Sequence, residues 1–142
     1  MQIADVNFLV AEDDPVQSWA LAAQLKKLGA QRITEVANGL EALAVFQDPE
    51  RDPIDIGLID LNMPQMDGME LIRHLAKADI HASIILVTAH DRSLLFSVET
   101  MSKAYGIDLL GTIEKPSTPE RLQALLREYA QSERGKAKNR GN

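Results

Sequence analysis

The chain has 142 residues, no cysteine, 45% hydrophobic and 25% charged residues, and a formal net charge of −6. This describes one globular domain large enough for a real core. The missing thiols exclude disulfides and thiolate metal sites, and no apolar run nears the roughly 20 residues that cross a bilayer.

The basic residues Arg134, Lys136, Lys138 and Arg140 face only Glu133 in the last stretch, so the body is more acidic than the whole. Such a body is a poor surface for nucleic acid and a reasonable host for a divalent cation. Residues 1–11 lack the basic start and small-residue cleavage site of a secretion signal. A cytoplasmic protein engaging neither membrane nor nucleic acid is expected.

Taken in order, residues 1–6 read as a lead-in. Asn7–Ala11 is a short apolar strand that breaks on Glu12-Asp13-Asp14-Pro15, where Asp14 can cap a helix with Pro15 at its first position. That helix is expected to reach about Leu28, with Leu21, Leu25 and Leu28 on one stripe, Trp19 opposite, and Gly29 as its stop. Gln31–Ala37 reads as a second strand with Ile33 and Val36 inward. Gly39–Gln47 reads as a short helix with Leu40, Leu43 and Phe46 at helical spacing, followed by the polar loop Asp48–Pro53.

Ile54, Ile56, Leu58 and Ile59 suit a strand buried on both faces. Asp60 ends it, and Pro64, Asp67 and Gly68 force a loop. Asp67 starts a helix to about Lys77 with Met69, Ile72 and Leu75 inward. Ser83–Thr88 is a fourth buried strand, ending on a hydroxyl. Asp91 caps a fourth helix that ends near Tyr105-Gly106. Leu94, Val98, Met101 and Tyr105 lie on its inner face, and Phe96 stands with Arg92, Glu99 and Lys103 on the polar side. Leu109–Glu114 is a fifth strand, followed by Lys115-Pro116. Thr118-Pro119-Glu120 opens a last helix through Leu122, Leu125 and Leu126. Residues 131–142 read as a frayed basic tail or the start of a linker.

Strand then helix, five times over, predicts an α/β fold, a parallel sheet with helices on both faces. In such a sheet all strand C-termini share one edge, and ligands bind there. That edge collects Glu12 and Asp13 from strand one, Asp60 from strand three, Thr88 from strand four and Lys115 from strand five. Three carboxylates packed together need a cation to stay charged. Oxygen donors without cysteine or a suitably placed histidine (His74, His81 and His90 are scattered) point to Mg²⁺. A hydroxyl and a lysine beside them suit a phosphoryl group, and a carboxylate can attack phosphorus.

The set Glu12-Asp13, Asp60 with Met63-Pro64 and Asp67-Gly68, Thr88-Ala89 and Lys115-Pro116 resembles the receiver domain of two-component response regulators. The resemblance runs from roughly Asn7 to Glu128. It implies a (βα)5 doubly wound, flavodoxin-like receiver domain over residues 1–130, with strand order 2-1-3-4-5. It implies that Asp60 accepts a phosphoryl group from a histidine kinase or histidine phosphotransfer protein. Glu12 and Asp13 would hold Mg²⁺, Glu12 through water, with Asp60 and the Asn62 carbonyl completing the protein ligands. Thr88, the Ala89 N–H and Lys115 would bind the phosphoryl oxygens, and the Lys115-Pro116 bond would be cis. Asn62 and His90 fall where family members tune the phosphate's lifetime.

One position departs from the family pattern: an aromatic usually stands three residues before the lysine, and here Thr112 does. More finely, Asp91–Glu99 and Leu109–Pro116 resemble receivers that precede EAL-type cyclic-di-GMP phosphodiesterase domains. Such an output domain, or a separate protein, is an expected partner; any phosphodiesterase activity would lie in a domain absent from these residues, and the chain itself is expected to be a switch and not an enzyme. Phe96 and Trp19 are candidate anchors, for a partner or second protomer and for a phosphodonor respectively. Two rivals stand beside the switch. A haloacid-dehalogenase-type phosphatase also uses an aspartate nucleophile and Mg²⁺, but needs a second acid two residues later, where this chain has Asn62. A pseudo-receiver acting as a constitutive interaction module would not need all five edge residues.

Overall fold

A computed structural model of the chain describes residues 2–89 and 92–140. Its elements alternate as β1 (Asn7–Ala11), α1 (Pro15–Lys27), β2 (Arg32–Val36), α2 (Gly39–Gln47), β3 (Ile56–Asp60), α3 (Gly68–Lys77), β4 (Ser83–Thr88), α4 (Arg92–Ala104), β5 (Asp108–Glu114) and α5 (Pro119–Gln131). A further helix, α6 (Glu133–Arg140), follows. The five strands form one parallel sheet of order 2-1-3-4-5, as the resemblance implied.

The helices begin where side chains satisfy their free N–H groups. Asp14 accepts from the Val16 and Gln17 amides at 2.9 and 3.3 Å. Asn38 accepts from Glu41, Asp67 from Glu70 and Thr118 from Arg121. The Asp91 cap of the fourth helix, and His90, lie outside the described residues. Alternation along the central strands splits the core in two. Phe8, Val10, Ile56, Leu58, Ile85 and Val87 pack against α1 and α5. Leu9, Ala11, Ile59, Ile84 and Leu86 pack on the other side against α2, α3 and α4. Each fully buried Leu, Ile or Phe contributes about 1.5–3 kcal/mol, so these strands are where the stability lies.

Two local expectations are corrected. Leu40 is exposed: a three-residue spacing drifts about 60° per step around a 3.6-residue turn, which carries Leu40 off the face built by Ala42, Leu43 and Phe46. Tyr105 is exposed as well, because α4 ends at Ala104 and Tyr105 falls in the turn that closes it, just before Gly106, whose φ is +73°. The stretch read as a frayed basic tail or the start of a linker is helical over Glu133–Arg140. Ile33, Val36 and Met69 do pack inward against the core, though each is only half-buried; the first two lie on β2, an edge strand covered less fully than the central ones.

Candidate functional site

The C-terminal ends of β1, β3, β4 and β5 meet at one edge of the sheet. Asp60 is the last residue of β3 and pairs in register with Val87, the residue before Thr88. Glu12 follows directly after β1, and Lys115 directly after β5. The Lys115 backbone N–H donates to the Thr88 carbonyl at 2.8 Å, which fixes the lysine beside β4.

The Lys115 ammonium lies 2.7 Å from Asp60 Oδ2 and 2.7 Å from Glu12 Oε1. Its bond to Asp60 is a hydrogen bond. The contact with Glu12 Oε1 is an ion pair without hydrogen-bond alignment. Asp60 is only 3% exposed, and its second oxygen, Oδ1, accepts the Asn62 N–H at 2.9 Å. Glu12 is buried too, and its Oε2 accepts the Asp14 N–H at 3.2 Å. The Thr88 hydroxyl is buried and has no hydrogen-bond partner among the described residues. A buried donor left without a partner costs about 1–3 kcal/mol, so its retention suits a ligand that would accept from it.

Burial pushes the Glu12 carboxyl up to about 7, with the Lys115 ammonium and the Asp14 amide opposing the rise and the neighbouring Asp60 carboxylate adding to it. Burial alone would lower the Lys115 ammonium, but its hydrogen bond to Asp60 and its close charge contacts with Asp60 and Glu12 outweigh that and hold it above the ordinary lysine value. Lys115 is thus the cation that keeps two buried carboxylates beside one another.

Asp13 is exposed, and a carboxylate oxygen from each of Glu12, Asp13 and Asp60 lies within 4.8 Å of the others. Such an oxygen-only cluster could hold a hard divalent cation. Asn62 and Ala89 are exposed on the loops that leave β3 and β4. The β3–α3 loop is tightly formed: Gln65 and Met66 have φ of 50° and 84°. Gly39 at the start of α2 lets it pack closely, since a Cβ there would sit 2.0 Å from the Met66 carbonyl oxygen.

Thr112 is half-buried on β5, away from this cluster, and its carbonyl accepts from Arg121 Nε at 3.0 Å. It lines a cavity of about 340 Å³ with Glu114, Pro116 and Arg121. Phe96 and Trp19 are 73% and 69% exposed, on α4 and α1. Neither lies in the carboxylate cluster.

Sequence reading missed one pair. Gln24 on α1 and Ser117 exchange two hydrogen bonds, Ser117 Oγ donating to Gln24 Oε1 at 2.8 Å and Gln24 Nε2 donating to the Ser117 carbonyl at 3.0 Å. They pin the segment after Lys115, whose Lys115-Pro116 bond is cis. Between α1 and this segment is a cavity of about 480 Å³, floored by Glu12 and Lys115. No sequence signal marks two residues 93 positions apart as partners.

The response regulator receiver domain profile matches residues 8–127. The chain is 36% identical over 125 residues to the cyclic di-GMP phosphodiesterase RocR of Pseudomonas aeruginosa, covering 88% of this chain and 31% of that protein. It therefore spans less than a third of that relative. Among solved structures it is similar to a response regulator from Colwellia psychrerythraea, with a TM-score of 0.73, 28% identity, and coverage of 89% of this chain and 97% of that one. A receiver domain protein from Methanospirillum hungatei shares the fold, with a TM-score of 0.76 at 23% identity over 93% of this chain and 98% of that one.

Proposed function

The chain belongs to the response regulator receiver domain family, and from that premise we propose that it is a phosphorylation switch with Asp60 as phosphoacceptor. The observation that carries this is the buried Asp60 carboxylate, paired with Lys115 at 2.7 Å and lying at the same sheet edge as the Thr88 hydroxyl, which has no hydrogen-bond partner among the described residues. The phosphodonor is a phosphohistidine of a histidine kinase or phosphotransfer protein. An Asp60 oxygen attacks phosphorus, the phosphorus–nitrogen bond breaks, and the imidazole keeps the electron pair and takes up a proton. Lys115 orients Asp60 before the transfer and offers its charge to the phosphoryl oxygens afterwards. The Thr88 hydroxyl and the Ala89 N–H donate to those oxygens.

The acid cluster fits Mg²⁺, which would be held by Glu12, Asp13, Asp60 and the Asn62 carbonyl. When bound, Mg²⁺ supplies charge neutralisation, both among the carboxylates and on the phosphoryl oxygens.

Phosphorylation changes how the domain engages its partners, an output domain or a separate protein, from a cytoplasmic setting. Cyclic-di-GMP hydrolysis, which the name of the Pseudomonas relative records, would belong to a domain outside these 142 residues. Phe96 is a candidate anchor for a partner or second copy, and Trp19 for the phosphodonor. Phe96→Ala should weaken any self-association seen by sedimentation, and Trp19→Ala should slow transfer from a phosphodonor protein but not from a small donor.

The central test uses acetyl phosphate and Mg²⁺ with intact-mass detection. One phosphoryl group should be added to the native chain, none to Asp60→Asn, and little in the presence of EDTA. Equal modification of Asp60→Asn would overturn the assignment.

A further inference from the structure

We propose that the sheet edge opposite Asp60 is a docking surface for a cationic helix, and that α6 occupies it as a reversible latch held by charge. This rests on the fold alone and is independent of the phosphoacceptor reading. The surface consists of two acids at strand starts, Asp55 just before β3 and Asp108 at the head of β5, with Ser83 at the head of β4 between them.

The sheet itself orients both acids. Asp55 Oδ2 accepts the Asn7 N–H at 2.8 Å, and the Asp55 backbone bonds to Asn7 and Ser83. Asp108 Oδ2 accepts the Ser83 hydroxyl at 2.6 Å. Two fixed negative charges therefore await a partner at this edge.

α6 supplies that partner. Arg134 Nε lies 3.1 Å from Asp108 Oδ2, and Lys138 Nζ lies 3.1 Å from Asp55 Oδ2. Four residues apart, the two cations share one helix face. Ser132 makes the turn that brings them there: its hydroxyl donates to the Tyr129 carbonyl at 2.6 Å and accepts the Gly135 N–H at 3.1 Å. Gly135 is buried at this crossing, and a Cβ there would lie 2.0 Å from the Tyr129 carbonyl oxygen. Only glycine lets α6 approach so closely.

What α6 lacks is apolar adhesion. Its described side chains are polar or charged except Ala137, which is exposed. A helix of eight residues is not stable in isolation, so the ion pairs and the Ser132 turn are what hold it. Salt screens such partly exposed pairs. Release would expose a cavity of about 300 Å³ that α6 walls with Arg134 and Lys138 over Asp55, His81 and Tyr129. While latched, α6 fixes the direction in which the chain leaves the domain, along the base of the sheet and away from Asp60.

Amide hydrogen exchange of residues 133–138 in the 142-residue protein tests the latch. In the native chain protection should be present at about 0.01 M salt and fall about fivefold or more at about 1 M salt. The double variant Arg134→Gln/Lys138→Gln should exchange at the high-salt rate under both conditions. Gly135→Ala should do so as well, with the strands' protection unchanged in every case. Exchange at residues 133–138 that is equal in the native chain and both variants, or native protection indifferent to salt, would overturn the proposal.

Discussion

Lys115→Met tests the electrostatic heart of the site. The substitution keeps the length of the stem and removes the charge. In the native protein the ammonium lies 2.7 Å from each of two buried carboxylates. At an effective dielectric near 20, each contact carries a gross attraction on the order of 6 kcal/mol, set against a desolvation penalty of several kcal/mol per ion. The net value of the set is small, but removing one member is costly, because Asp60 and Glu12 are then buried without a cation. Breaking such a pair costs about 3–5 kcal/mol.

The cost should depend on pH. Glu12 already sits up at about 7 with Lys115 present, and loss of the ammonium raises it further. At pH 6 Glu12 is then largely neutral and the cost is smaller, whereas nearer pH 8 the work of keeping that proton or of burying a further charge is added. Urea unfolding in EDTA, at pH 6 and pH 8, measures both values. The exposed pair Arg32–Asp52 is the control, since Arg32→Gln should cost no more than about 1 kcal/mol. A loss for Lys115→Met no larger than that of Arg32→Gln at both pH values would refute the reasoning.

In the acid cluster, Asp13→Asn removes one charge from three clustered carboxylates; it should raise the metal-free melting temperature and abolish most of the rise that millimolar Mg²⁺ gives the native chain. Equal Mg²⁺ responses in thermal melts would count against a cation there. Burial pushes the Tyr129 phenol up to about 12, with the Asp55 and Asp108 carboxylates adding to the rise and Arg134 opposing it. The folded state thus keeps a proton that the unfolded chain loses near pH 10, and stability is lost as pH rises from about 10 to about 12. Native protein should lose up to about 3 kcal/mol more than Tyr129→Phe across that window, and parallel denaturant profiles would contradict it. For the switch, a new bond from Thr88 to the phosphoryl group would bias the β4–α4 loop without an aromatic relay: beryllofluoride with Mg²⁺ should change amide exchange in residues 92–101 more than in β5. Thr112→Tyr should alter the extent of that change without being required for it; protection confined to residues 60–62 and Lys115 would send the signal elsewhere.

The sequence by itself determined whatever depends on neighbours along the chain. Caps act over two or three residues, so Asp14, Asp67 and Thr118 announce their helices. Uninterrupted apolar runs announce strands buried on both faces, and once the strands are known to be parallel, their C-terminal residues Glu12, Asp60, Thr88 and Lys115 must share an edge.

Only the tertiary structure decided the rest, because it depends on groups brought together from far apart. Lys115 bridges Asp60 and Glu12, and Gln24 grips Ser117, only after the sheet and α1 have packed. Leu40 and Tyr105 fit an apolar pattern, yet the helix geometry and the end of α4 turn them to solvent. The segment after Ser132 has no apolar periodicity to read. Its helix is fixed by Asp55 and Asp108, acids at the heads of distant strands, and by the one close approach that Gly135 allows.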